Sequence, residues 1–217
     1  DYRNYIPGDD ISKIDWNAYA RFEKLYLKLF LDERQVHTRI YIDASRSMDY
    51  GRGEKALMAL KIAAALAYLS VCEMDRVSVY YINNIVGKEA FLNSVGKLNE
   101  IEFSDDCFIS DSILPTSVGY GDGMSIILSD FLTDNDYEKA IDYLVDKKRD
   151  LFCFQILSKE EIKPNIRGKV HFYDSEDVNK QYRKNINKEI VTAYNEALEY
   201  TKNRIKTYCN SRNASYM

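Results

Sequence analysis

Cysteine, histidine, proline and glycine are all scarce in this 217-residue chain, at four, two, three and nine residues. The cysteines, Cys72, Cys107, Cys153 and Cys209, form no CxxC pair and no Cys/His cluster, which excludes the spacing of a structural zinc site. Cys72 and Cys153 stand in apolar runs, so reduced, buried thiols in a cytoplasmic setting are expected rather than a disulfide framework. Little Gly and Pro beside 46% hydrophobic residues excludes a disordered or collagenous chain. A basic excess is missing too: Lys+Arg number 30 against 34 Asp+Glu, a net charge of -4, which argues against a nucleic-acid surface. The most apolar stretch, Ala56 to Cys72, is short for a membrane span and carries Lys61. No signal-peptide pattern precedes the first strand. The chain opens at Asp1 inside what reads as a motif, so a piece of a longer protein is expected, with room for a membrane anchor upstream.

What is present alternates between strand and helix patterns. Leu25, Leu27, Leu29 and Leu31 recur with period two, as do Val36, Thr38, Ile40 and Ile42. Glu54 to Cys72 is rich in Ala, Leu, Ile and Met and apolar nearly all round, which predicts a buried helix. Further strands are expected at 76–83, 126–128, 151–157 and 169–173, with helices at 88–99, 137–145 and about 187–208. Strands that are apolar throughout and alternate with helices predict an α/β domain: a doubly wound, mostly parallel sheet with helices on both faces. The strand at 36–42 is expected at its centre, between those at 76–83 and 126–129. That leaves no room for a hairpin partner, so 25–31 belongs at an edge or off the sheet. Residues 1–35 then form an amino-terminal segment packed on a domain of 36–217.

The central strand runs directly into Asp43-Ala44-Ser45-Arg46-Ser47, and the strand at 126–128 ends in Ser129-Asp130. Open α/β sheets bind ligands at the carboxyl ends of their strands, where strand order reverses. If these strands are neighbours, Asp43 and Asp130 converge with Ser45 and Ser47 between them. Two carboxylates held together repel unless a cation sits with them, and all-oxygen donors select Mg²⁺, Mn²⁺ or Ca²⁺.

Asp43-x-Ser45-x-Ser47 after an apolar strand resembles the metal-ion-dependent adhesion site, or MIDAS, of von Willebrand factor A (VWA) domains. More closely, the chain resembles the bacterial DUF58 family, whose domain is A-domain-like. The matching residues are Tyr5-Ile6-Pro7-Gly8-Asp9-Asp10, Ile14-Asp15-Trp16, Ala20-Arg21, Leu25-Tyr26-Leu27-Lys28 and Asp43-Ala44-Ser45-Arg46-Ser47-Met48. Asp75-Arg76-Val77 and Leu128-Ser129-Asp130-Phe131 follow in order. The resemblance implies that Ser45 and Ser47 bind a divalent cation directly, with Asp43 and Asp130 bound directly or through water. A-domains add a threonine from a loop, and here Cys107 falls at that place. A thiol is a poor ligand for a hard cation, so Asp106 or Ser110 substitutes or the site is weakened.

Each motif also has a plainer reading. Asp-x-Ser-x-Ser after a strand can be a turn that caps a helix, and Pro7-Gly8-Asp9-Asp10 a turn and cap. Trp16 reads as a core or interface aromatic, Asp15 and Arg21 as an ion pair, and His37 and His171 as structural. Gly51-Arg52-Gly53-Glu54-Lys55 lacks the GxxxxGK[ST] spacing that cradles phosphate. The functional expectation is a non-enzymatic protein-interaction module in which a partner carboxylate completes the coordination of the cation. The family resemblance implies a MoxR-type AAA+ ATPase as partner in protein assembly or maturation. The alternatives are a metal-dependent phosphohydrolase and a metal-free scaffold; the first needs a nucleophile and a general acid, but Ser45 stands where phosphatases with a strand-end aspartate carry a second aspartate, and no lysine and acid pair is evident.

Overall fold

The computed structural model describes residues 2–28, 36–50, 53–81, 84–86, 95–103, 109–121, 123–132, 137–173 and 181–217. The chain divides into two compact units, Asp1–Gln35 and Val36–Met217.

In the first unit, β1 (Tyr2–Asn4) pairs antiparallel with β2 (Tyr26–Lys28), in register Arg3 to Leu27. The strand foreseen at 25–31 is therefore off the main sheet, and its residues 29–31 lie outside the described ones. Between the two strands, Asp10 caps a single 3-10 turn (Ile11–Lys13), accepting from the Ser12 N–H at 3.0 Å. Asp15 caps α1 (Trp16–Phe22), accepting from the N–H groups of Asn17 and Ala18. The turn-and-cap reading of Pro7 to Asp10 holds, with Gly8 at φ +109° and Asp9 in a two-pronged ion pair with Arg3. Asp15 pairs with Lys28 at 3.7 Å rather than with Arg21, because Arg21 lies in the last turn of the helix that Asp15 starts. Trp16 is not a core residue: it is 58% exposed and stands edge-on to Tyr19.

The second unit is built on a six-stranded sheet. Its strands are β3 (His37–Ile42), β4 (Arg76–Tyr81), β5 (Asn84–Val86), β6 (Met124–Ser129), β7 (Asp150–Gln155) and β10 (Ser215–Tyr216). The spatial order is β10-β7-β6-β3-β4-β5, with every pair parallel except β4 with the edge strand β5. This is the expected doubly wound α/β fold with β3 at its centre. The strands β5 and β10 carry too few residues to show a period, and neither was foreseen. The predicted strand at 169–173 is real, but β8 (Gly168–Tyr173) pairs with β9 (Gln181–Ile186) in a separate hairpin. Of the helix expected at 88–99, residues 88–94 lie outside the described ones, and Val95–Glu100 forms a 3-10 turn.

Alternation along the central strands builds two cores. Ile40, Ile42, Ile126 and Leu128 face one side, against α2 (Glu54–Cys72). Tyr41, Tyr80 and Ile127 face the other, against α3 (Ile109–Ile113), α4 (Tyr137–Asp146) and α6 (Lys188–Ser211). A sheet covered on both faces needs strands that are apolar at every position.

Helix α2 is long and apolar enough to cross a membrane by length and composition, although its sequence reads as short of a span. Here it lies on the sheet through a narrow stripe, Lys55, Ala59, Ala63 and Ala67, spaced four apart. The expectation of an all-round buried helix is corrected: Leu57, Met58, Tyr68 and Leu69 are each at least half exposed. Alanine along the centre of the contact lets the helix approach closely, and Leu60, Ile62, Leu66 and Val71 pack half-buried beside it. Cys72, at its end, is exposed, whereas Cys153 and Cys209 are buried, and all three are free thiols.

Candidate functional site

Strand order reverses between β3 and β6, and both strands end at the same edge. The Asp43 N–H donates to the Leu128 carbonyl at 2.9 Å, which carries the β3/β6 pairing to the mouth of the crevice. Asp43 and Asp130, 2% and 0% exposed, thus stand at the switch point as the sequence predicts.

Asp43 uses both oxygens. Its Oδ1 accepts from the Ser45 N–H at 3.0 Å, closing the turn after β3, and its Oδ2 accepts from the Ser129 hydroxyl at 2.5 Å. Burial pushes its pKa up, the Ser129 and Ser45 hydrogen bonds oppose that, and the charge of Asp130 adds to it. Ser45 precedes a 3-10 turn (Arg46–Asp49), yet its side chain makes no capping bond to it. Instead the Ser45 and Ser47 hydroxyls meet at 3.0 Å, both buried. The plain capping reading of this motif therefore fails for Ser45. Two adjacent hydroxyls can turn their lone pairs together toward one electrophile.

Asp130 is aimed by the turn after β6, where Phe131 takes a left-handed φ of +52°. The Leu132 N–H donates to its Oδ1 at 3.1 Å, and Gln155 Nε2 holds its carbonyl at 2.7 Å. Asp130 Oδ2 accepts from Lys55 Nζ at 2.8 Å. Lys55 also donates to Glu161 Oε1 at 2.7 Å, with its side chain only 1% exposed. Glu161 belongs to α5 (Lys159–Ile162), where its Oε2 accepts from the Ser158 N–H and its own N–H donates to the Ser158 hydroxyl. That reciprocal capping box fixes the carboxylate that meets Lys55.

Four of the predicted residues, Asp43, Ser45, Ser47 and Asp130, are brought to one edge. Asp106 lies outside the described residues, as does Cys107. Ser110 is buried on α3 and, among the described residues, makes no hydrogen bond to the other four. Three partners were missed, namely Ser129, Lys55 and Glu161. Lys55 had a visible signal, a charge on the alanine stripe of a core helix. Glu161 had another, the Ser158-x-x-Glu161 box. Among the described residues no group of three or more His, Cys, Asp or Glu could hold a metal ion. Any cation here would depend on two carboxylates and two hydroxyls.

Beyond Glu161 lies an apolar cleft lined by Tyr50, Pro164, Ile166, Phe172, Ile190 and Tyr194. Tyr50 borders it and also lies 5.8 Å from Lys55 Nζ, ring face to ammonium. The Tyr194 hydroxyl donates to the Glu161 carbonyl at 2.9 Å, so the ion cluster and the cleft share a wall.

Uncharacterized proteins of Mycobacterium bovis and Mycobacterium tuberculosis are 34% identical to the chain over 70 residues, 31% of its length. The match spans about a fifth of the relatives' own length. Among solved structures, an aerotolerance-related membrane protein from Bacteroides fragilis aligns over 79% of this chain and 99% of its own, at 13% identity and a TM-score of 0.41. The family model described as "Protein of unknown function DUF58" matches residues 1–91, a span that holds Asp43, Ser45, Ser47 and Lys55 and stops short of Asp130 and Glu161.

Proposed function

We propose that the domain is a non-enzymatic protein-interaction module whose partner docks at the carboxyl edge of the sheet, over Asp43, Ser45, Ser47 and Asp130. The observation that carries this reading is the convergence of two buried carboxylates and two buried, mutually bonded hydroxyls at the switch point. The donor set fits a hard divalent cation by its chemistry, since all four side chains offer oxygen. Mg²⁺ or Mn²⁺ bound there would supply a Lewis-acidic centre for a partner's carboxylate. Ser45 and Ser47 are neutral ligands and take no charge from that centre. The apolar cleft beside Glu161 gives the flanking residues of the same partner a place to bury.

A MoxR-type AAA+ ATPase is the partner class that the resemblance to DUF58 proteins implies, and protein assembly or maturation is the corresponding process. Titration calorimetry of the chain against such an ATPase from the same genome tests this. Binding is expected in millimolar Mg²⁺, with loss in EDTA and in Asp43→Ala. Equal affinity in all three conditions would refute a metal-dependent dock.

One observation favours a second reading. A phosphohydrolase needs a lysine and an acid near the strand-end aspartate, and Lys55 with Asp130 supplies such a pair. A general acid for the leaving group has no evident candidate, because Ser45 stands two residues beyond Asp43. Hydrolysis of a generic phosphoester that Asp43→Asn abolishes would establish the enzyme instead.

A further inference from the structure

Lys55 is an ammonium held at a site whose chemistry calls for a cation. Its Nζ lies 2.8 Å from Asp130 Oδ2 and 2.7 Å from Glu161 Oε1, with the three side chains 1%, 0% and 14% exposed. Both oxygens of Asp130 are occupied, one by Lys55 and one by the Leu132 N–H. Both oxygens of Asp43 are occupied as well, by Ser45 and Ser129. A divalent ion bound to Asp130 would therefore meet an ammonium already in contact with that carboxylate. Like charges sharing one buried carboxylate repel, so the two cations compete for it.

Glu161 gives Lys55 somewhere to go. It is the more accessible of the two carboxylates, its capping box fixes it independently of Asp130, and it lines the same cleft as Tyr50, whose ring centroid is 5.8 Å from the ammonium. We propose that Lys55 is the resident cation of this site, and that a divalent cation enters only by exchange, with the ammonium released from Asp130 and retained by Glu161. Metal affinity is then set by an internal competitor, and the exchange moves charge toward the wall of the apolar cleft. This rests on the reading of Asp43, Ser45, Ser47 and Asp130 as a cation site.

The test is Mn²⁺ binding to the whole chain, followed by electron paramagnetic resonance, in the wild type, Lys55→Gln, Glu161→Gln, the double variant and Asp43→Ala. Lys55→Gln keeps a hydrogen-bond donor for Asp130 and removes the charge. Exchange predicts that Lys55→Gln tightens Mn²⁺ binding by about tenfold or more. It also predicts that Glu161→Gln weakens binding only where Lys55 is present, a coupling that the double variant isolates. Equal affinity in the wild type and Lys55→Gln, abolished by Asp43→Ala, would overturn the exchange and leave the cation site standing. No binding in either the wild type or a folded Lys55→Gln would overturn both. Should Lys55→Gln fail to fold, amine labelling of the wild type decides the matter. Lys55 must become more reactive when Mn²⁺ is bound, and unchanged reactivity overturns the proposal.

Discussion

Burial raises the cost of altering a charged side chain whose partners are themselves buried. Lys55 holds Asp130 and Glu161 inside the protein, and removing one member of such a group leaves the others buried and unpaired. Lys55→Ala is therefore expected to cost about 3–5 kcal/mol in urea unfolding. Glu161→Ala should cost clearly less, because Asp130 still neutralises the ammonium. His37 provides a pH test. Burial, and after it the charges of Arg39 and Arg149, depress its pKa from 6.5 to about 4, and its Nε2 meets Ser78 Oγ at 3.0 Å. The unfolded chain thus takes up a proton between pH 6.5 and 4 that the folded protein refuses, so stability falls as pH falls through that window. His37→Gln should flatten this part of a stability profile measured by denaturant titration. An unchanged slope would show that other groups set it. At Gly123 a Cβ would come 2.5 Å from Arg149 Nη1, and φ is +149°. The Arg149 guanidinium holds the Met124 carbonyl at 2.7 Å and bonds the His37 carbonyl and the Ser125 hydroxyl. Gly123→Ala should cost about 1–3 kcal/mol, because guanidinium and backbone must both give way.

Among the elements, α2 buries a face that its sequence does not mark. Ala63 is fully buried against the sheet, so Ala63→Leu should cost about 1–3 kcal/mol by overpacking. Leu69→Ala, on the exposed face, should stay within about 0.5 kcal/mol. Thermal unfolding of the two variants measures the contrast, and similar losses would mean that the outer face is covered in solution. The position and length of α2 were legible because composition marks a helix, but which face it buries was not. A helix apolar nearly all round has little polar side to mark what faces solvent, and the stripe of Ala59, Ala63 and Ala67 is the buried one here. Strands β3, β4, β6 and β7 were legible for a related reason: a sheet with two cores requires unbroken apolar runs. Strands β5 and β10 were not, since two or three residues take their conformation from a neighbouring strand rather than from a pattern of their own. In the candidate site, Asp43, Ser45, Ser47 and Asp130 were legible from the strand ends together with the resemblance to a MIDAS motif. Lys55 and Glu161 reach it from a helix and a capping turn 106 residues apart in sequence, and no local pattern records that meeting.

Across the whole molecule, a doubly wound sheet gathers at one edge two carboxylates, two hydroxyls and a lysine, next to an apolar cleft. The account of this edge as a metal-dependent dock makes one structural demand above the rest. Crystals of the chain equilibrated in millimolar Mn²⁺ should show an anomalous scattering peak at this site. The account predicts a peak about 2.0–2.3 Å from the Ser45 and Ser47 hydroxyls, with Asp43 and Asp130 around it and Lys55 turned onto Glu161. A map with no peak there, and Lys55 still bound to Asp130, would contradict it.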